Sequence, residues 1–268
     1  MEFLVLIKQV PDTTSVRTDP KTNTLIRSNT AGIVNPFDKN ALEAAVRLKE
    51  KHGGTVTVMT MGPQQAVSAL RECYSLGADK MVLISDGHFG GSDTYSTSYV
   101  LSQAAKALGP FDLILCGKQA IDGDTAQVGP ELAEHLNLPQ LTYVSELDID
   151  GKRLRAKREL DECDIEVETE LPAVVTVSKS INEPRLPNVI RRMAANNMSP
   201  MLIKAGDLQD LNLEDVGLNG SPTRVFKTYV PKRDKHTVMI DGAQPKEAVQ
   251  ELICDLKTAG IILSEEAV

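Results

Sequence analysis

Apolar positions in the first half of the chain fall into two alternating kinds of run. Short runs with β-branched content recur at 3–10 (FLVLIKQV), 55–62 (TVTVMTMG), 80–85 (KMVLIS) and 111–116 (FDLILC). They lack a polar face, which predicts strands buried on both sides. Amphipathic segments separate them: 38–54, ending at a glycine pair; 63–77, opened by Pro63; and 94–109, preceded by Asp93 and closed by Gly109. Their spacing and punctuation predict capped helices. A further helix follows the loop at 117–130. Strands alternating with helices predict the α/β class, a parallel sheet with helices on both faces.

The second half changes character. Two runs at 141–160 flank Asp150-Gly151, a hairpin signal, and 165–178 reads as one or two further strands. Residues 182–197 are proline-punctuated, basic and poor in core pattern. From 205 the chain has no strong period until an amphipathic helix at 245–260. A stretch such as 205–244 is longer than loops run within compact domains. An arm lying on a partner surface and a flexible linker both fit its composition.

Charge and composition remove several function classes. A formal net charge of −8 gives no reason to expect nucleic acid, and the absence of Trp argues against base-stacking platforms. No apolar run approaches the roughly 20 residues of a membrane span, and the N-terminal MEFLVLIKQV lacks the basic flank of a signal peptide. Cys73, Cys116, Cys163 and Cys254 lie far apart without a CxxC, against an intrachain zinc or iron–sulfur site and against a secreted disulfide framework. The expected location is cytoplasmic and reducing.

In an open parallel sheet, ligands sit beyond the carboxyl ends of the strands. The segments found there are Lys8 to Asp12; Asn35, Pro36, Phe37 and Asp38; Met61 and Gly62; Gly90, Gly91, Asp93 and Thr94; and the loop GKQAIDGDTAQVGP at 117–130. That loop is far longer than a turn requires. Gly123 and Gly129 permit tight backbone paths, and Thr125 and Gln127 offer hydrogen bonds to phosphate or ribose. Asp122 and Asp124 would repel a phosphate, so at least one is expected to cap backbone amides or bind ribose hydroxyls. Neither GxGxxG nor a P-loop is present, so a nucleotide cradle and a plain capped turn both remain open. Lys8 is either a ligand contact or a rim ion pair. His88 stands beside Phe89-Gly90-Gly91 with no nameable partner, and His135, within a helix, reads as structural. No nucleophile–base set assembles from spacing. The chain offers a cradle rather than a catalytic side chain, as when the chemistry belongs to a cofactor.

The run from Gly117 to Gly129 closely resembles the signature of the beta (small) subunit of electron-transferring flavoproteins. VLIKQVPD (5–12), NPFD (35–38), MGP (61–63), LPAVVTV (171–177) and NEPR (182–185) occur in that family's order and spacing. The resemblance spans essentially the whole chain. It implies a Rossmann-like, adenine-nucleotide-hydrolase-like domain over 1–204. Over 205–268 it implies an arm and helix contacting an FAD-bearing alpha subunit. It further implies that this chain holds either AMP, as simple carriers do, or a second FAD, as electron-bifurcating members do. The residues implied are Leu6, Lys8, Asn35, Pro36, Phe37, Asp38, Met61, Gly62, Gly90, Gly91, Asp93, Thr94 and Thr97. From the long loop they are Gly117, Gln119, Asp122, Gly123, Asp124, Thr125, Ala126, Gln127, Val128 and Gly129.

The sequence QAIDGDTAQVGP resembles the bifurcating branch, where simple carriers read QAIDDD. Gly123 then removes a side chain where an AMP pocket carries a carboxylate. FGGSDT (89–94), with Thr97, resembles that branch too, and there flanks the flavin ring and helps admit a nicotinamide. The branch implies that NADH reduces the beta-subunit FAD. One electron then passes to ferredoxin or flavodoxin. The other passes through the alpha-subunit FAD to an FAD-dependent dehydrogenase of acyl-CoA or hydroxy-acid type, with the flow reversed in confurcating relatives. Residues 182–197 correspond to the family's recognition loop, with Arg185 and Leu186 as docking residues. NEPR runs directly into LPN here, a shortening that suits a permanently bound dehydrogenase. The rival readings are an AMP-binding simple carrier and a homodimeric regulatory module of the universal-stress type. The latter leaves 205–244 unexplained.

Overall fold

The structure, a computed structural model, describes residues 1–12, 17–18, 25–26, 32–226 and 237–262. Its first elements are β1 (Glu2–Leu6), β2 (Gln9–Pro11), β3 (Arg17–Thr18), β4 (Leu25–Ile26), β5 (Gly32–Val34) and α1 (Pro36–His52). Then come β6 (Thr55–Met61), α2 (Val67–Ser75), β7 (Lys80–Ile84), α3 (Thr94–Leu108), β8 (Leu113–Gly117) and α4 (Val128–Leu136). The second half adds β9 (Gln140–Asp150), β10 (Arg153–Glu159), β11 (Asp164–Glu170), β12 (Ala173–Val177), α5 (Val189–Asn196), β13 (Met201–Ile203), α6 (Gly217–Gly220) and α7 (Pro245–Thr258).

The main sheet runs in the order β11-β10-β9-β12-β8-β1-β6-β7-β13. From β9 through β13 every neighbouring pair is parallel, and β9-β10-β11 form an antiparallel extension. The α/β class with a mostly parallel sheet is therefore as the sequence predicts. Strand periodicity sorts the core into two layers. Phe3, Val5, Val58, Leu113, Leu115 and Val175 share one cluster with Ala41, Leu42 and Ala45 of α1 and Leu70 of α2. Leu4, Leu6, Met59, Ile114 and Val174 share the other with Val100 and Ala104 of α3 and Leu132 of α4.

The chain runs outward from β1 to β6 and β7, then crosses to β8 on the opposite side of β1. The strand order reverses between β1 and β8, which is where an open sheet leaves a crevice.

Several elements differ from the sequence expectation. The first apolar run breaks after Leu6, and Gln9–Pro11 instead pairs antiparallel with Gly32–Val34. Residues 182–197, which carry no core pattern, contain α5. Its first turn is capped by Asn188, which accepts from the Arg191 N–H at 3.1 Å. The chain at 201–203 adds an edge strand beside β7. The hairpin forms as predicted, with Asp150 opposite Arg153 and Gly151 at φ 61°.

The chain divides into two compact units, Met1–Arg224 and Val225–Val268. This boundary lies beyond residue 204, the division suggested by the sequence, because Leu208 and Val216 are buried in the α3–α4 layer. In the second unit α7 buries none of its residues. Part of the arm proposed at 205–244, residues 227–236, lies outside the described residues.

Candidate functional site

Asp38 sits in the first turn of α1, where a carboxylate suits the positive end of the helix dipole. It is buried, and its two oxygens are used across the sheet's switch point. Oδ2 accepts from the Lys8 N–H at 2.8 Å and Oδ1 from the Gly117 N–H at 3.1 Å. One side chain therefore joins the carboxyl ends of β1 and β8 to the start of α1. The approach is so close that a Cβ on Gly117 would lie 2.5 Å from Asp38 Oδ1. Burial pushes the Asp38 carboxyl up to about 7, against the opposing pull of Asn35, the two N–H donors and the Lys8 charge.

Asn35, fully buried, anchors the long loop to the same point. Its Nδ2 donates to the Gln119 carbonyl at 2.8 Å, and its Oδ1 accepts from the Ile121 N–H at 3.3 Å. Lys8 Nζ pairs with Asp122 at 2.8 Å, and the Gln119 side chain donates to Asp124. Neither Asp122 nor Asp124 caps a backbone amide among the described residues. Both charges are instead covered by side chains. Asp124 and Ala126 hold left-handed backbone, at φ 55° and 54°, and turn the loop back toward α4.

No side chain caps the first turn of α4, and Pro130 occupies that turn. Gly129 lets the turn approach the sheet, since a Cβ there would meet Thr176 Cγ2 at 2.5 Å and Cys116 Sγ at 2.9 Å. A Cβ on Gly123 would meet nothing within 4 Å. Across the crevice, the Thr94 hydroxyl of α3 lies 3.1 Å from the Gln127 side-chain oxygen and 3.2 Å from Glu131 Oε1. Burial raises the Glu131 carboxyl, whose Oε2 is enclosed without a partner.

These elements enclose a cavity of about 410 Å³. Of the residues expected from the sequence, Leu6, Lys8, Asp38, Met61, Asp93, Thr94, Thr97, Gly117, Gln119, Gly123, Thr125, Ala126, Gln127, Val128 and Gly129 line it. Asn35, Pro36, Phe37, Gly62, Gly90, Gly91, Asp122 and Asp124 do not. Asn35, Asp122 and Asp124 instead shape its loop, and Gly91, at φ 79°, turns the chain into α3. Ser92, Lys118 and Ala120, inside the stretches the sequence singles out, also line it, as do Ile7, Met59, Leu101 and Cys116, which the sequence does not single out. Ile7, Met59 and Cys116 lie in apolar strand segments and read as core. His135 packs against Tyr95 and Tyr99 in tilted ring contacts with centroids at 5.3 and 5.6 Å, and burial lowers its pKa, consistent with a packing role. His88 Nδ1 pairs with Asp86 at 2.7 Å.

Arg185 is held within the chain. It pairs with Glu43 at 2.8 Å and Glu50 at 2.6 Å, both on α1. Leu186 beside it is 88% exposed. The following helix, α5, is fixed to α2 through polar contacts: Arg191 Nε donates to the Tyr74 carbonyl at 2.9 Å and its guanidinium lies 4.4 Å from the Tyr74 ring centroid. Val189, Ile190 and Met193 are left facing solvent. Among the described residues no helix is long and apolar enough to cross a membrane.

Comparison with known proteins agrees with the fold. A family model described as the electron transfer flavoprotein domain matches residues 22–208. An electron transfer flavoprotein subunit beta from Thermoanaerobacterium thermosaccharolyticum is 45% identical, covering 98% of this chain and 100% of that protein. The caffeyl-CoA reductase-Etf complex subunit CarD of Acetobacterium woodii is 44% identical over the same shares. The acryloyl-CoA reductase electron transfer subunit gamma of Anaerotignum propionicum is 40% identical, again over 98% of this chain and 100% of its own length.

The Asp38 geometry has a measurable consequence. Its folded value lies above the ordinary 3.8, so between about pH 4 and about pH 7 the folded chain keeps a proton that the unfolded chain has released. The stability it contributes is full at the acid end and is lost as pH rises through this window. Asp38→Asn, which sets an NH₂ against one of the two N–H donors, is expected to cost about 1–3 kcal/mol. In urea titrations, the advantage of the wild type over Asp38→Asn should shrink as pH rises through the window. An advantage that grows would contradict the assignment.

Proposed function

The chain belongs to the electron transfer flavoprotein family as a beta-type subunit, and from that premise we propose that its cavity holds FAD. In this reading it passes electrons among NAD(H), ferredoxin or flavodoxin, and a partner flavin dehydrogenase, by bifurcation or confurcation. The observation that carries the reading is the open space at Gly123, in a loop whose carboxylates, with that of Asp38 in the cavity wall, each hold a donor. Asp38 is bonded to two backbone amides, Asp122 to Lys8 and Asp124 to Gln119. An anionic ligand therefore meets no carboxylate of the long loop without a donor on it. The uncapped first turn of α4 offers N–H groups and a positive dipole end suited to a phosphate.

The chemistry supplied by a bound flavin is its own: two-electron exchange with a nicotinamide and one-electron exchange with the other carriers. This chain's residues bind, orient and shield. Leu6, Ile7, Met59, Met61 and Leu101 give the cavity apolar walls that exclude water. Thr94, Thr97, Thr125 and Gln127 offer neutral hydrogen-bonding groups. No side chain is assigned as a general acid or base. An AMP held structurally is the second reading, favoured by the same α4 turn, because one phosphate satisfies it.

An alpha subunit is the expected heterodimer partner, in line with a family whose members function as subunits. The names of the reductase-complex relatives support a dehydrogenase as second partner. For its docking we propose Leu186 with the outward face of α5. That apolar patch is held rigid from behind by Arg191, Arg185 and the Asn188 cap, which fits a standing interface.

Two substitutions test these assignments. Gly123→Asp, purified with the alpha subunit, is expected to lose the flavin held by this chain while keeping that of the alpha subunit. Full retention of flavin would contradict the reading of Gly123. Leu186→Ala is expected to lower electron transfer to the partner dehydrogenase by about tenfold, equivalent to a single interface anchor, with nucleotide content unchanged. Unchanged transfer would remove Leu186 as the anchor.

A further inference from the structure

The wall formed by the start of α3 is held by a segment far along the chain. Asp93 is the N-cap of α3, and its Oδ1 accepts from the Ser96 N–H at 3.1 Å. Its Oδ2 is taken by Thr223, whose N–H and hydroxyl donate at 2.9 and 2.7 Å. Its own N–H donates to Ser221 Oγ at 2.8 Å. Ser221 is buried, and its hydroxyl donates to the Gly217 carbonyl at 2.7 Å. The clip is completed by the Gly217 N–H on Ser92 Oγ at 3.2 Å and the Leu218 N–H on the Gly90 carbonyl at 3.1 Å. Asp93 lines the cavity, whereas Ser221 and Thr223 do not.

Asp93 puts a negative charge into a wall that faces the ligand. Burial works to raise its carboxyl, but the Ser96 amide and the Thr223 bonds outweigh this and hold it below the usual aspartate range. It is therefore ionised at neutral pH, and what matters is where its oxygens point. With both oxygens occupied by donors from outside the cavity, the charge is turned into the protein. Without Thr223, one oxygen is free to rotate toward an anionic ligand, and the first turn of α3 loses an anchor.

We propose that Ser221 and Thr223 are positioning residues of the nucleotide site, acting through Asp93. They hold the Asp93 carboxylate and amide so that the α3 wall stays in place and its charge is turned away from the bound nucleotide. The proposal rests on the reading of the cavity as a nucleotide site, and goes beyond it by giving residues outside the cavity control of affinity.

The test uses the heterodimer with the alpha-subunit flavin in place and this chain's nucleotide removed, with AMP and then FAD titrated calorimetrically. Thr223→Val, which keeps the backbone bond and loses the hydroxyl, should weaken AMP binding on the order of tenfold, and Ser221→Ala/Thr223→Val more. Thr223→Ser, which keeps the hydroxyl, should restore wild-type affinity, a rescue that a purely structural effect of altered packing would not give. Should the double variant unfold, Ser221→Ala alone carries the comparison. Wild-type affinity in Thr223→Val and Ser221→Ala would overturn the positioning role while leaving the nucleotide site intact. Failure of the wild type to take up either nucleotide would overturn the nucleotide reading and the positioning role with it.

Discussion

The bridge made by Asp38 is the constraint on which the site depends. A parallel sheet splays at its switch point because β1 and β8 send their connections in opposite directions. The exposed strand-end amides of Lys8 and Gly117 then need acceptors. One buried carboxylate supplies both, and it sits at the N-terminus of α1, where the dipole favours its charge. The requirement propagates. Gly117 must lack a side chain, the long loop must leave β8 at that angle, and Asn35 can then fasten the loop at Gln119 and Ile121. The cavity is the space left between this fastened loop and the start of α3.

Charge management is the second theme. Two carboxylates line the cavity, Asp38 and Asp93, and two more, Asp122 and Asp124, stand in the loop that shapes it, which is unexpected for a site read as binding a phosphorylated ligand. Each is engaged by a donor of the chain itself: Asp38 by amides, Asp122 by Lys8, Asp124 by Gln119, and Asp93 by Ser96 and Thr223. The same carboxylates therefore shape the loops while each keeps at least one oxygen tied to a donor. Farther along α1, Glu43 is buried and pairs with the more exposed Arg185 and Arg47. Burial alone would raise it, but the two guanidinium groups hold it below the usual glutamate range. That pair fixes the start of the segment whose apolar residues face outward.

What the sequence made legible follows from the range of each interaction. Strands and helices of the first half were readable because their apolar periods report burial on local geometry. The long polar loop stood out for its length, and most of its residues line the cavity. α5 escaped because its apolar residues, Val189, Ile190 and Met193, face solvent, so its period does not mark a core. β13 escaped because three residues at a sheet edge carry too little pattern. Asp38 stands out in the sequence only by its place at a helix start; its bridge joins Lys8 to Gly117, and no local signal encodes such a contact. Ser221 and Thr223 lie in a stretch without any period, and reach their partner across about 130 residues of chain. Ile7, Met59 and Cys116 look like core from either side and are distinguished only by ending where the sheet opens.

The central claim is that the cavity beyond β1 and β8 holds a flavin. The direct measurement is nucleotide content. The chain is purified with its alpha subunit, the heterodimer is denatured, and released FAD and AMP are quantified by chromatography. The account predicts two FAD per heterodimer and no AMP. One FAD and one AMP would contradict it and identify a simple carrier.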